Sequence, residues 1–211
     1  MTHLQEIVDR RPKEAVNGRS GGIDGNARLT ATTGVLLIVL LAVEGVTILF
    51  IRPLISMHVF VGLMLVPPVA LKLGSTGWRL LRYYTGSRPY VLKGPPHVVM
   101  RVLVAPPVVL SSLFLFGTGI AMLVIKPGGG ILLGLHKASF IVWIAATGVH
   151  VLVYLPTLPR PAAADLKRSA HLPSGRLRFG LVAASVGLGA IFAAATLHLA
   201  TPWLDWVRLR R

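Results

Sequence analysis

Apolar residues in this chain gather into five long runs, 30–51, 54–73, 102–125, 131–155 and 179–200, parted by short polar or Gly/Pro-rich breaks. A helix rises 1.5 Å per residue, so about 20 mostly apolar residues cross the hydrocarbon of a bilayer, and each run is long enough. The pattern predicts an all-α integral membrane protein with five transmembrane helices. Runs one and two are parted only by Arg52 and Pro53, and runs three and four by Lys126-Pro127-Gly128-Gly129-Gly130, which predicts two antiparallel hairpins.

The basic residues give the expected orientation. Sixteen fall on one side: Lys72 together with those of the 1–29 tail, the 74–101 loop and the 156–178 loop; six fall on the other. Lys and Arg accumulate on the cytoplasmic side. The 1–29 segment is therefore read as a disordered cytoplasmic tail, the two longer loops as cytoplasmic, and 201–211 as an external basic tail in a multi-pass protein of the inner or plasma membrane. Trp78, Tyr83 and Tyr84 on one side, and Trp203 and Trp206 on the other, fall at the expected interfaces.

Composition agrees. A hydrophobic content of 54%, charged residues at 14% and a mean hydropathy of +0.70 are too apolar for a soluble domain of 211 residues. A net charge of +15 suggests nucleic acid at first sight, but the cations lie between the apolar runs, so no nucleic-acid partner is expected. The absence of cysteine excludes disulfides, thiolate metal sites and covalent haem attachment. No phosphate-binding glycine loop or catalytic triad is present, nor a domain able to hold flavin or NAD, so the chain is not a complete reductase on its own.

His58, His136, His150 and His198 fall inside apolar runs, where burying an ionisable group is costly and marks a functional candidate. His58 lies five residues past Pro53 and His136 five residues into the fourth run, so both imidazoles are expected at one depth on neighbouring helices, as a pair of metal ligands. His150 is fourteen residues beyond His136, on nearly the same helix face and about 21 Å away. One helix can thus serve two sites stacked across the membrane. Glu44, the one acid in the first run, shares the depth of His58 and is a candidate for accepting a proton from a quinol, or for a hydrogen bond between helices. His198 is read as structural. The Pro67-Pro68 and Pro106-Pro107 echo in runs two and three is either a pair of bends that opens room for a ligand or ordinary membrane-helix proline.

The stretch His58-Val59-Phe60-Val61-Gly62 and the stretch from His136-Lys137-Ala138-Ser139 to His150 resemble the ligand helices of bacterial di-haem b-type cytochromes. These are the five-sixty-one type and the membrane subunits of Ni/Fe-hydrogenase and formate dehydrogenase. The resemblance covers about residues 30–155. It implies one or two noncovalent haem b groups in a four-helix bundle, with His58, His136 and His150 as iron ligands and span five outside. It also implies electron exchange with a quinone or a partner oxidoreductase subunit, with self-association left open. The family's second helix often carries two histidines, but here Lys72 stands fourteen after His58, so the inner site would need Lys72 or His97 as its other ligand. Arg52 and Lys137 on the outer side, and Arg79, Arg82 and Arg101 on the inner, are candidates for holding haem carboxylates, since Arg offers a bidentate fork. Two other classes compete: a proton-coupled small transporter, and a non-catalytic anchor or assembly factor of a redox complex.

Overall fold

The computed structural model describes residues 22–94, 98–125, 127, 130–156 and 173–209. The tail to residue 21, His97, Lys126 and most of the 156–178 loop lie outside the described residues. Among the described residues all regular structure is helical: α1 (Gly22–Leu49), α2 (Ile51–Tyr84), α3 (Arg88–Lys93), a π-helical turn (Met100–Val104), α4 (Ala105–Val124), α5 (Gly130–Tyr154), α6 (Pro173–Thr196), a 3₁₀ turn (Leu197–Ala200) and α7 (Thr201–Leu209). Five helices are long and apolar enough to cross a membrane.

Both hairpins form. The α1–α2 reversal is tight because Phe50 N–H still bonds the Val46 carbonyl at 3.2 Å while the Phe50 carbonyl accepts from Leu54 N–H at 3.1 Å. Leu54, next to Pro53, leaves helical dihedrals at φ −106°, ψ 16°. The Pro67-Pro68 pair causes no such break: α2 runs through it, with Leu54 its single non-helical position. Pro106 and Pro107 fall in the first turn of α4, where their missing N–H groups would have had no helical partner, and the π turn precedes them. Helical dihedrals thus persist through Pro67-Pro68, as the reading of ordinary membrane-helix proline has it.

Several boundaries move. The 74–101 segment is not a plain loop, since α2 continues to Tyr84 and α3 follows. The fifth span begins at Pro173 rather than 179, and the predicted tail after 200 is the helix α7, closed by an Asp205–Arg208 ion pair at 3.7 Å. The backbone bonds of an apolar run continue into the residues beside it even where, as at Gly74-Ser75-Thr76-Gly77, those residues are poor helix formers.

The helices are packed in two groups. Helix α2 lies along both α1 and α6, and α4 lies along α5, whereas contact between these groups is sparse. The core of the first group is Leu37, Val61 and Leu65, with Phe60, Met64 and Phe116 against it. At Gly189 the backbone of α6 comes so close to the Met64 carbonyl that a Cβ would overlap it. In a membrane, where lipid is as apolar as leucine, such close backbone approach and hydrogen bonds between helices hold spans together. Asn26 donates to the Ser75 carbonyl at 2.9 Å, Thr30 pairs with the Ser75 hydroxyl at 2.9 Å, and Trp143 on α5 donates to Ser112 on α4 at 3.0 Å. Of the five long helices α5 is the least buried against its neighbours and α1 the most.

Candidate functional site

Between the two groups lies a cavity of about 1030 Å³, with mostly apolar walls. Its polar lining includes Glu44, His58 and His136, together with Arg52 and Lys137. Interiors are otherwise packed to crystal-like density with few voids larger than a water, so a space of this size between helices has room for a cofactor-sized ligand.

The two imidazoles are positioned from opposite walls. Glu44 and Thr47 are three apart on α1 and so share a face. The Thr47 hydroxyl donates back to the Glu44 carbonyl at 2.6 Å and reaches Glu44 Oε2 at 3.1 Å, which fixes the carboxylate. Its other oxygen, Oε1, lies 2.8 Å from Nδ1 of His58 on α2, with Thr47 Oγ1 a further 3.2 Å from that nitrogen. Room for the carboxylate comes from Gly62, one turn after His58, where an added Cβ would stand 3.3 Å from Glu44 Oε1. On the other wall, Thr118 Oγ1 of α4 lies 3.1 Å from Nδ1 of His136 on α5, and Gly119 leaves the ring edge its space, a Cβ there lying 3.3 Å from His136 Cε1. Each imidazole thus has Nδ1 within hydrogen-bond distance of an oxygen, and His136 also bonds the backbone of Leu115.

The ring centres of His58 and His136 are 6.4 Å apart, with planes at 79°. Two opposed imidazoles on one metal atom have centres roughly 6 Å apart, since each nitrogen is about 2 Å from the metal and about 1 Å from its own ring centre. A hydrogen bond to the second ring nitrogen, from carboxylate or hydroxyl, is what orients a metal-binding imidazole and fixes its tautomer. The pair therefore has the spacing and the outer support of a two-histidine metal site, and the cavity beside it has room for a planar ligand. Among the described residues no group of three or more His, Asp or Glu gathers as a metal-ion site.

The other expected residues divide into those that line the cavity and those that do not. Arg52 and Lys137 line the cavity, as do Trp203 and Trp206 of α7. Trp203 N–H donates to the carbonyls of Met122 at 2.5 Å and Ile125 at 3.1 Å, which belong to the otherwise unpaired end of α4. The fifth span therefore does not simply pack outside the bundle: its continuation α7 forms part of the cavity wall. By contrast, Arg79, Arg82 and Arg101 are not among the lining residues. Arg82 sits over the Trp78 ring and Arg101 over the Tyr84 ring, as interfacial cation–π pairs. Lys72 Nζ donates to the Thr30 carbonyl at 2.6 Å, and His150 packs its ring on Tyr154 with centres 4.9 Å apart. His97, one of the two partners expected for His150, lies outside the described residues, and the other, Lys72, is near enough to His150 for their charges to interact.

Thr47, Thr118, Gly62, Gly119, Trp203 and Trp206 complete the site. Of these, Gly62 had a sequence signal, a small residue one turn after His58. Thr118 had a weaker one, a hydroxyl in the third span at the depth of His136 in the fourth. Compared with family models, curated proteins and solved structures, the chain matches none of them.

Proposed function

We propose that this chain is a membrane b-type cytochrome that holds one noncovalent haem b between His58 and His136 and passes electrons between a quinone or a partner oxidoreductase and that haem. The observation that carries this reading is the imidazole pair itself: two rings from different helix hairpins, 6.4 Å apart, each with Nδ1 already bonded, on the wall of a cavity of about 1030 Å³. Bound haem would supply a one-electron couple. The chain's own residues would do the rest. His58 and His136 hold the metal by Nε2; Arg52 and Lys137, two cations on an apolar cavity wall, meet the carboxylates of the macrocycle; Trp203 and Trp206 keep water from the end of the cavity. The remaining walls, apolar and close to the pair, keep the ligand desolvated.

A small transporter is less well supported, because the polar groups that would form its path are bonded into static pairs and α2 is unbroken at its prolines. The location in an inner or plasma membrane, with the residue 22 end of α1 toward the cytoplasm, follows from the charge asymmetry and belongs to the same reading. The test is a pyridine haemochrome assay with iron quantified per polypeptide. One haem per chain is expected in the unaltered protein, and His58→Ala and His136→Ala should each lower it at least tenfold. A colourless protein from haem-replete cells, or full haem content in both variants, overturns the proposal.

A further inference from the structure

The two imidazoles are supported unequally. His136 has a neutral hydroxyl at Nδ1, Thr118 Oγ1 at 3.1 Å, whereas His58 has a carboxylate, Glu44 Oε1 at 2.8 Å. Glu44 is the one acid on the cavity wall and is only 9% exposed, and both of its oxygens are committed, one to His58 and one to Thr47. Gly62 is placed so that no Cβ pushes the carboxylate away from the ring. A buried acid in a membrane span is expensive and is kept where it has a task. Stapling α1 to α2 does not account for it, because the Asn26, Thr30, Lys72 and Ser75 bonds already join those helices.

We infer that Glu44 is a positioning residue that sets the reduction potential of iron bound at His58, holding it low. The inference rests on the haem reading above. A carboxylate accepting the Nδ1 proton makes Nε2 a more basic ligand. Its negative charge, one imidazole away from the iron and shielded from water, also favours the more positive oxidised metal over the reduced one. Thr118 does neither for His136, whose other partner is the backbone of Leu115, so Glu44 is the one anionic partner among those of the two rings. Arg52 and Lys137, the two cations on the same cavity wall, act in the opposite sense and are unchanged in the comparison below.

Glu44→Gln separates charge from geometry, since the amide oxygen of Gln still accepts from His58 Nδ1. The experiment is a potentiometric titration of the haem-loaded fraction of each protein, followed at the α-band. Glu44→Gln should shift the equilibrium at least tenfold toward reduced iron, which is about 59 mV upward for a one-electron couple. Gly62→Ala, which crowds Oε1 without removing charge, should shift it the same way by less. A change under twofold in Glu44→Gln, or a shift downward, overturns the inference. If Glu44→Gln does not accumulate, the Gly62→Ala result decides in the same manner, an unmoved potential counting against it. The two failures are distinct: unaltered protein without haem defeats the haem reading, while coloured protein with matching potentials defeats the role of Glu44 alone.

Discussion

The two halves of the bundle carry similar polar residues in apolar helices, yet use them in opposite ways. Near the hairpin turns, Glu44, Thr47 and Thr118 are spent on the Nδ1 atoms of two histidines beside a cavity. Near the far ends of α1 and α2, Asn26, Thr30, Lys72 and Ser75 are spent on one another, and His150 packs on Tyr154. In lipid every polar group needs a partner, so the presence of polar side chains in a span says little by itself. What distinguishes a site from a staple is whether the bonded groups border open space.

The largest effect that would break this contrast comes from two histidines on one helix. His136→Ala should remove at least nine-tenths of the bound haem, whereas His150→Ala, fourteen residues along α5, should leave the haem content within twofold of the unaltered protein. Haem per polypeptide by pyridine haemochrome is the measurement. Equal losses would mean that the far half of the bundle is a second ligand site rather than a set of helix contacts.

How far the sequence could carry this contrast depends on what kind of information each part needs. The five spans are written in runs of apolar residues, and length alone recovers them. The pairing of His58 with His136 was legible as well, because short turns on both hairpins fix depth, and depth is counted in residues from Pro53 and from the Gly-rich turn. Rotation about a helix axis is not counted that way. That Glu44 faces His58 rather than lipid, and that Lys72 donates to the Thr30 carbonyl, depends on how α1 and α2 settle against each other, which tertiary packing decides. The role of α7 was hidden for a different reason. Its nine residues are too few and too polar to register as a span, so Trp203 and Trp206 read as interface anchors although they line the cavity.

The first group of helices, α1 with α2 and α6, should also be the mechanically stronger one. Its closest approach is Gly189 on Met64, backbone to backbone. Gly189→Leu must push α6 off α2, and overpacking of this kind costs about 1–3 kcal/mol. Reversible unfolding in mixed detergent micelles, followed by helix content, should report that loss. The same substitution should affect haem content far less than His136→Ala does, because Gly189 meets Met64 of α2 and neither of the two histidines.

The smallest expected effect tests the staple directly. Ser75 is buried, its hydroxyl pairs with Thr30 at 2.9 Å and bonds the Lys72 carbonyl at 3.0 Å, and its own carbonyl accepts from Asn26. Ser75→Ala removes the hydroxyl and leaves the carbonyl contact in place. Hydrogen bonds between membrane helices average about 0.6 kcal/mol, because the separated helices find other partners for the same groups. Thr30 also keeps a bond to the Asn26 carbonyl at 2.8 Å, so it is not left unpaired by the change. A loss of about 0.5–1 kcal/mol in the same unfolding measurement, with the haem spectrum and potential unmoved, is the expected result. A shifted potential would mean that the far half of the bundle communicates with the iron, and the division between site and staple would no longer hold.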